Sequence, residues 1–415
     1  MTKEEIKALV REKMATKRII LFGAGVVAEE FYEAHKDKLN ISHCVSNIQK
    51  EWGEGAFMEG ELDVRQYRPE DIEENDYVVV CGPLAFRSIE LQLLADEWKI
   101  YENFIESNIA AAIYENKEIA LLYGQCVLRD VYKCIIQVSA FTERYAVIFA
   151  MATTKQAKVN NRVVHYAKEL CDLYISSPRF FDYGSIYYLT DEELPMGCPM
   201  YSVSNLSVLL YWPQIDPGRD EYNEWYIHPY TSKRDLDYGH SIYRRADLNI
   251  NRMILEGMSD KEIIERVSSI DFYSDSRIRR HEKLALQMVD ASENGYDVKI
   301  GDYIRDNYRS CKLYQNSFHP NKSIIWEYIR RLLLKLNIPI EEVDMLEKES
   351  PEHIHQGGDV PIYPCVAKGL GLDFISEDTK YEIITGSGLE YMTFRESVEH
   401  YIGYCRKARE LMEMW

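Results

Sequence analysis

Arg18-Ile19-Ile20-Leu21-Phe22-Gly23-Ala24-Gly25-Val26-Val27-Ala28 is the stretch that decides the fold class. A short apolar run reads as a buried strand, and G-x-G-x-x-A follows it and opens a helix to about His35. Glycine permits the tight turn and close backbone approach, and the helix N-terminus can hold a phosphate. A charged helix, Lys3 to Ala15, precedes the strand. Ile41 to Val45 reads as a second strand, ending at Ser46-Asn47. Tyr77 to Cys81 reads as a third, followed by Gly82-Pro83 and a helix from about Phe86 that carries Leu91 and Leu94. The order β-α-β…β-α predicts a parallel sheet. Residues 1–112 are therefore read as a small Rossmann-like domain, with Gly23, Gly25 and Ala28 as candidate cofactor-binding positions. A bound dinucleotide calls for Asp or Glu near the end of the second strand, and Ser46 stands there. Two readings stay open: a nucleotide or nucleotide-sugar site, and a scaffold.

Composition sets the outer bounds. The 415 residues suffice for two or three domains, and 46% of them are hydrophobic, as in globular proteins. A formal net charge of −19 argues against nucleic acid and anionic membranes as partners. Nine scattered cysteines without C-x-x-C argue against a disulfide framework or a zinc finger. Met1 to Arg18 lacks a signal-peptide core, and no apolar run approaches the roughly 20 residues of a membrane span. The expected compartment is the cytoplasm. The 31 tyrosines fit a carbohydrate-facing surface as well as plain compositional bias.

A charged stretch, Tyr114 to Glu118, separates a second region, residues 119–415. Its first strand, Ile119-Ala120-Leu121-Leu122-Tyr123-Gly124-Gln125-Cys126, ends in a cysteine with a helix to follow. His319 sits in Asn316-Ser317-Phe318-His319-Pro320-Asn321, between a short strand and another helix. A helix N-terminus favours negative charge on a thiol, and an imidazole beside it can take and return a proton. That pair suits acyl transfer; the alternative is a half-buried cysteine and an ordinary loop histidine. Further strands are read at Tyr145–Phe149, Leu173–Ser176 and Met200–Ser204. Ser259 and Glu262 form a capping box, and a core helix runs from Lys322 to Leu336.

An ordered series of segments then carries a resemblance. It comprises Gly124-Gln125-Cys126, Asn205 before Tyr211-Trp212-Pro213, Tyr243 to Asp247, and Gly257-Met258-Ser259. It continues through Asp297 to Ile304, Lys312 to Asn321, and Ile362 to Ala367 with Leu370-Gly371-Leu372. Residues 119–415 resemble the WcbI-like family of polysaccharide biosynthesis acetyltransferases, and the layout is similar to the SGNH hydrolase plan with cysteine in the place of serine. The family turn usually reads G-N-C-Q; here it reads Gly124-Gln125-Cys126-Val127. The first domain resembles small Rossmann-like domains attached to glycan-biosynthesis enzymes, with Val45-Ser46-Asn47 and Glu51-Trp52-Gly53 matching that outline.

The resemblance implies transfer of an acyl group, usually acetyl, from coenzyme A to a sugar hydroxyl during capsule or surface-polysaccharide assembly. It implies catalytic roles for Cys126, His319, Asn316 and Asn205, and contacts to the acyl donor at Gly124 and Gln125; Arg129 and Arg179, near expected strand-end loops where ligands gather, are candidate phosphate contacts. The same parts would serve a glycan esterase, or a non-catalytic glycan- or nucleotide-binding subunit. An oligomer is compatible with either. His353-Ile354-His355 offers metal-ligand types, but alternating histidines in one loop read as solvated polar residues, and no metal is expected. Lys233-Arg234 and Arg244-Arg245 read as a solvated face or a coenzyme A phosphate contact.

Overall fold

The computed structural model describes residues 1–47, 62–82, 86–152, 162–177, 188–204, 206, 208–215, 247–317, 319–355 and 357–413. The chain forms two compact units, Met1–Val203 with Leu333–Pro339, and Ser204–Leu332 with Ile340–Trp415.

The first unit opens on helix α1 (Lys3–Thr16), started by a capping box between Thr2 and Glu5. Five parallel strands follow: β1 (Arg18–Phe22), β2 (Ile41–Ser46), β3 (Val64–Gln66), β4 (Asp76–Val80) and β5 (Phe104–Glu106). They lie in the order β3-β2-β1-β4-β5. Helix α2 (Val26–His35) connects β1 to β2, α3 (Phe86–Ala95) connects β4 to β5, and α4 (Ser107–Tyr114) follows β5. β1 and β4 are central, and the near-continuous apolar runs Ile19–Phe22 and Tyr77–Val80 are buried, as a sheet covered on both faces requires. The Rossmann-like reading holds. Helix α3 forms from Phe86 as read, buries Ile89 and Leu93, and leaves Leu91 and Leu94 exposed. Its phase is set by Phe86, which is also buried, at helical spacing from Ile89 and Leu93.

A second parallel sheet of the same unit follows, with β6 (Glu118–Gly124), β7 (Tyr145–Met151), β8 (Leu173–Ser176) and β9 (Met200–Ser202) in the order β7-β6-β8-β9. β9 stops two residues short of the expected Ser204. From β6 the chain adds β7 on one side and β8 on the other, so the strand order reverses at β6. In open α/β sheets ligands gather at the carboxyl end of such a switch point. A short turn joins α4 to β6. The core runs continuously from Ile6 to Leu194, because α4 packs against β4 and β5 on one side and β6 and β7 on the other.

The second unit is mostly helical among the described residues. It includes Leu248–Leu255, Asp260–Val267, Asp275–Ser292 and Phe394–Glu413, most of Lys322–Lys335, and two antiparallel hairpins, β10 (Tyr314–Asn316) with β11 (His319–Pro320) and β12 (Tyr381–Thr385) with β13 (Gly388–Met392). The Ser259–Glu262 capping box forms as read. The helix Lys322–Lys335 buries Ile324, Ile325, Tyr328, Leu332 and Leu333, the apolar face its spacing predicts. No described helix is long and apolar enough to cross a membrane.

Candidate functional site: the β6–α5 turn and the His319 hairpin

Helix α5 (Cys126–Ile135) starts directly at the carboxyl end of β6. Gly124 is required there by close approach: a Cβ on it would lie 2.3 Å from Ser177 Oγ and 2.8 Å from Leu128 Cδ2. Gln125 is the N-cap residue. Its backbone N–H donates to Ser177 Oγ (3.4 Å), and its side-chain Nε2 donates to the Ala152 carbonyl (2.5 Å). The departure from the family turn thus has a structural role, tying the ends of β6, β7 and β8 together. Cys126 is the first helical residue and partly exposed. The N–H groups of Cys126, Val127 and Leu128 have no acceptor within the helix by construction, so the turn presents donors beside a thiol. Arg129 Nε lies 3.8 Å and Lys133 Nζ 3.3 Å from Oδ1 of the buried Asp130, which draws both cations toward the helix.

Sequence reading missed Ser177. It follows β8 at the same sheet edge, is fully buried, accepts from Gln125, and has its carbonyl bonded by Tyr188 Oη (3.0 Å). Its position just past a strand end at the switch point was the available signal.

His319 lies in the second unit, and its setting differs from that of Cys126. It belongs to a two-strand hairpin rather than the edge of a parallel sheet. Asn316 holds it twice: Oδ1 accepts the His319 backbone N–H (3.1 Å), and Nδ2 lies 3.1 Å from Nδ1 of the ring. Asn316 thus contacts both the backbone and the ring of His319. His355 stacks on His319 with ring centroids 3.6 Å apart and 16° between planes.

This corrects the reading of His353 and His355 as solvated loop residues. His355 is 5% exposed. His353 is turned elsewhere, with Nδ1 3.1 Å from Asn321 Oδ1 and Nε2 3.6 Å from Asp359 Oδ1. Asp359 is itself paired with Lys312 Nζ (2.5 Å) and accepts the Glu382 backbone N–H. Val360 N–H bonds the Gln315 carbonyl and Asp359 N–H the Glu382 carbonyl, fixing this segment to both hairpins and burying His355 and Asp359. Among the described residues, no three His, Cys, Asp or Glu side chains are grouped as a metal site.

In the first sheet, Gly23 has φ +121°, and a Cβ there would sit 2.6 Å from the Cys81 carbonyl oxygen. Gly25 caps α2 without a side chain, and Ala28 is fully buried under it. Ser46 ends β2, 8% exposed, where an acid would meet a ribose. Asn205, Arg179, and the pairs Lys233-Arg234 and Arg244-Arg245 lie outside the described residues.

Residues 164–341 match the family model described as polysaccharide biosynthesis enzyme WcbI. The match contains Asn316 and His319 and begins beyond Cys126. Among solved structures, the chain is similar to one described as WcbI, a novel polysaccharide biosynthesis enzyme, in its native form without a disulfide bond between coenzyme A and one of its cysteines. The two are 13% identical, and the alignment covers 70% of this chain and 90% of that one, with a TM-score of 0.54. At that identity the likeness concerns the fold. No curated protein matches the chain. Residues 164–341 are thus similar to the WcbI polysaccharide biosynthesis enzymes, and the chain shares an α/β fold with the solved WcbI.

Proposed function

We propose that this chain transfers an acyl group, acetyl in the first instance, from coenzyme A to a sugar hydroxyl in polysaccharide biosynthesis. The observation that carries the proposal is a partly exposed thiol at the first residue of α5, at the switch point of a parallel sheet. The solved WcbI is described in terms of coenzyme A and a cysteine. In this chain Cys126 is the cysteine best placed for such a ligand, and the donors at the start of α5 suit the oxyanion of an attacked thioester. Residues 119–415 would carry the transfer, with 1–112 as an accessory domain that offers a nucleotide or nucleotide sugar the Gly23–Ala28 turn.

Two routes use the same parts. In the covalent route Cys126 thiolate adds to the thioester carbonyl, coenzyme A leaves as thiolate, and the sugar oxygen then displaces Cys126 as its proton passes to His319. In the direct route His319 takes the sugar proton while the hydroxyl attacks the thioester in one displacement. Either route needs an imidazole nitrogen with an open lone pair. When Asn316 Nδ2–H donates to Nδ1, the neutral ring carries its proton on Nε2. Turning the amide would let Oδ1 accept from Nδ1–H and make Nε2 the base, at the cost of the hydrogen bond that Oδ1 accepts from the His319 backbone N–H.

The test is acceptor-dependent release of free coenzyme A. The full chain is mixed with acetyl-CoA and a panel of sugars, sugar phosphates and nucleotide sugars, and acetylated product is identified by mass spectrometry. Release that requires an acceptor is the expected result. Absence of coenzyme A binding at millimolar ligand, with hydrolysis of acetylated glycans instead, overturns it.

A further inference from the structure

Cys171 and Cys198 are 27 positions apart in the chain, yet their Sγ atoms are 3.5 Å apart, both as free thiols. Cys171 stands just ahead of β8 and Cys198 just ahead of β9. The register of the two strands is held by Tyr174 N–H to the Pro199 carbonyl (2.9 Å). The pair is therefore fixed by a parallel ladder at the amino end of the sheet, opposite the Cys126 edge. Cys171 is fully buried and Cys198 is partly exposed, so Cys198 is the more accessible residue of the pair.

We infer that Cys171 and Cys198 are a thiol–disulfide exchange site whose substrates are small disulfides, with Cys198 as the attacking sulfur and Cys171 as the resolving one. The electrostatics agree. The hydrogen bond with Cys171 lowers the Cys198 thiol against an opposing effect of burial, and the Lys3 ammonium adds to the lowering. The same hydrogen bond, together with burial, pushes Cys171 up. Lys3 is itself anchored by Asp172 Oδ1 (2.7 Å), with Lys7 on the other carboxylate oxygen (2.8 Å).

The exchange balances without any other reactant. Cys198 thiolate attacks one sulfur of oxidised glutathione, a sulfur–sulfur bond forms, and one glutathione leaves as thiolate. Cys171 then loses its proton and attacks the Cys198 sulfur of the mixed disulfide, releasing the second glutathione. Two protein thiols are oxidised to one disulfide as one glutathione disulfide is reduced to two thiols. A disulfide needs its sulfurs about 2.05 Å apart, so the closing movement is about 1.5 Å, small enough for side-chain rotation. The linked form staples the starts of β8 and β9.

The full chain is incubated with excess oxidised glutathione, quenched with iodoacetamide in denaturant and mapped by mass spectrometry. The expected result is a linked Cys171–Cys198 peptide pair lacking two hydrogens, reversed by dithiothreitol, with the other seven cysteines alkylated and a higher Tm for the linked form. In Cys171→Ser the glutathione adduct should accumulate on Cys198. Recovery of both cysteines in alkylated form after oxidation, or linkage of either to a different cysteine, overturns the assignment. The wild-type map decides this even where Cys171→Ser fails to fold.

Discussion

The molecule builds the same device twice and arms it once. Each parallel sheet sends a central strand into a tight turn and a helix: β1 through Gly23-Ala24-Gly25 into α2, and β6 through Gly124-Gln125 into α5. In both, a glycine is required because a Cβ would collide with the neighbouring strand end, at the Cys81 carbonyl in one and Ser177 Oγ in the other. At the first edge a buried carboxylate serves as a helix cap. Glu106, buried at the end of β5, accepts from the Asn108 and Ile109 N–H groups, from Ser107 Oγ and from Asn108 Nδ2, and so caps α4. At the second edge Cys126 opens its helix with a partly exposed thiol. A strand-turn-helix supplies backbone donors and a dipole wherever it occurs; which side chain stands at its first position decides whether it can do covalent chemistry.

The comparison breaks most sharply on activity. Cys126→Ala should abolish transfer while leaving coenzyme A binding nearly intact, because the thiol is small and the phosphates bind elsewhere. His319→Ala should lose about 100- to 10,000-fold in kcat. Cys126→Ser separates the routes: little activity means thiolate attack, and a largely retained rate means His319 acts directly. Full activity in both alanine variants, measured by coenzyme A release, would move the active site away from the second turn.

Asn316→Asp comes next. Its carboxylate accepts from both the His319 backbone N–H and Nδ1–H, which holds the ring as the Nε2 base. Activity should be retained or raised, whereas Asn316→Leu should lose roughly 10- to 100-fold. Equal losses in the two variants would remove the orienting role.

The two glycines of the first turn should behave unequally in urea unfolding. Gly23→Ala combines positive φ with a backbone collision and should cost about 2–4 kcal/mol. Gly25, extended at φ −127° and ψ −173° with open space at its Cβ, should tolerate alanine within about 0.5 kcal/mol. Similar costs at both would mean the turn is not held by Cys81.

Ligand binding should distinguish the edges. Acetyl-CoA at 100 times its Kd should stabilise the native chain by about 2.7 kcal/mol, seen as a rise in Tm. Amide exchange should slow at Gly124–Arg129 and stay unchanged at Gly25–Ala28. Protection at the first turn instead would exchange the roles assigned to the two sheets.

The smallest effect concerns Glu106. Burial raises its carboxyl above the ordinary 4.5, against the hydrogen bonds that favour the ionised form. The native state therefore keeps a proton that the unfolded chain has already lost, and this group's contribution to stability falls as pH rises from about 4.5 through the raised folded value. Glu106→Gln should flatten that slope in urea midpoints taken between pH 4 and 7, at a cost of about 1 kcal/mol. An unchanged slope would locate the titration elsewhere.

The parallel sheets, both glycine turns, the Ser259–Glu262 cap and the Asn316–His319 spacing were legible in the chain, because each depends on residues a few positions apart. Strand and helix periodicity, a helix start, and a side chain reaching three residues back are local matters of geometry. Four features were decided by tertiary structure. The phase of α3 turned Leu91 and Leu94 outward and Ile89 and Leu93 inward. His355 and Asp359 became buried as Gln315 and Glu382, 45 and 23 positions from Val360 and Asp359, supply carbonyl partners to the segment. That burial set His355 on His319. Ser177 met Gln125, and Cys171 met Cys198, only because β6, β8 and β9 align in one ladder. Local sequence sets which hydrogen bonds a segment makes with itself; partners tens of residues away are chosen by the strand order of the folded sheet and the packing of the hairpins, which no short window contains.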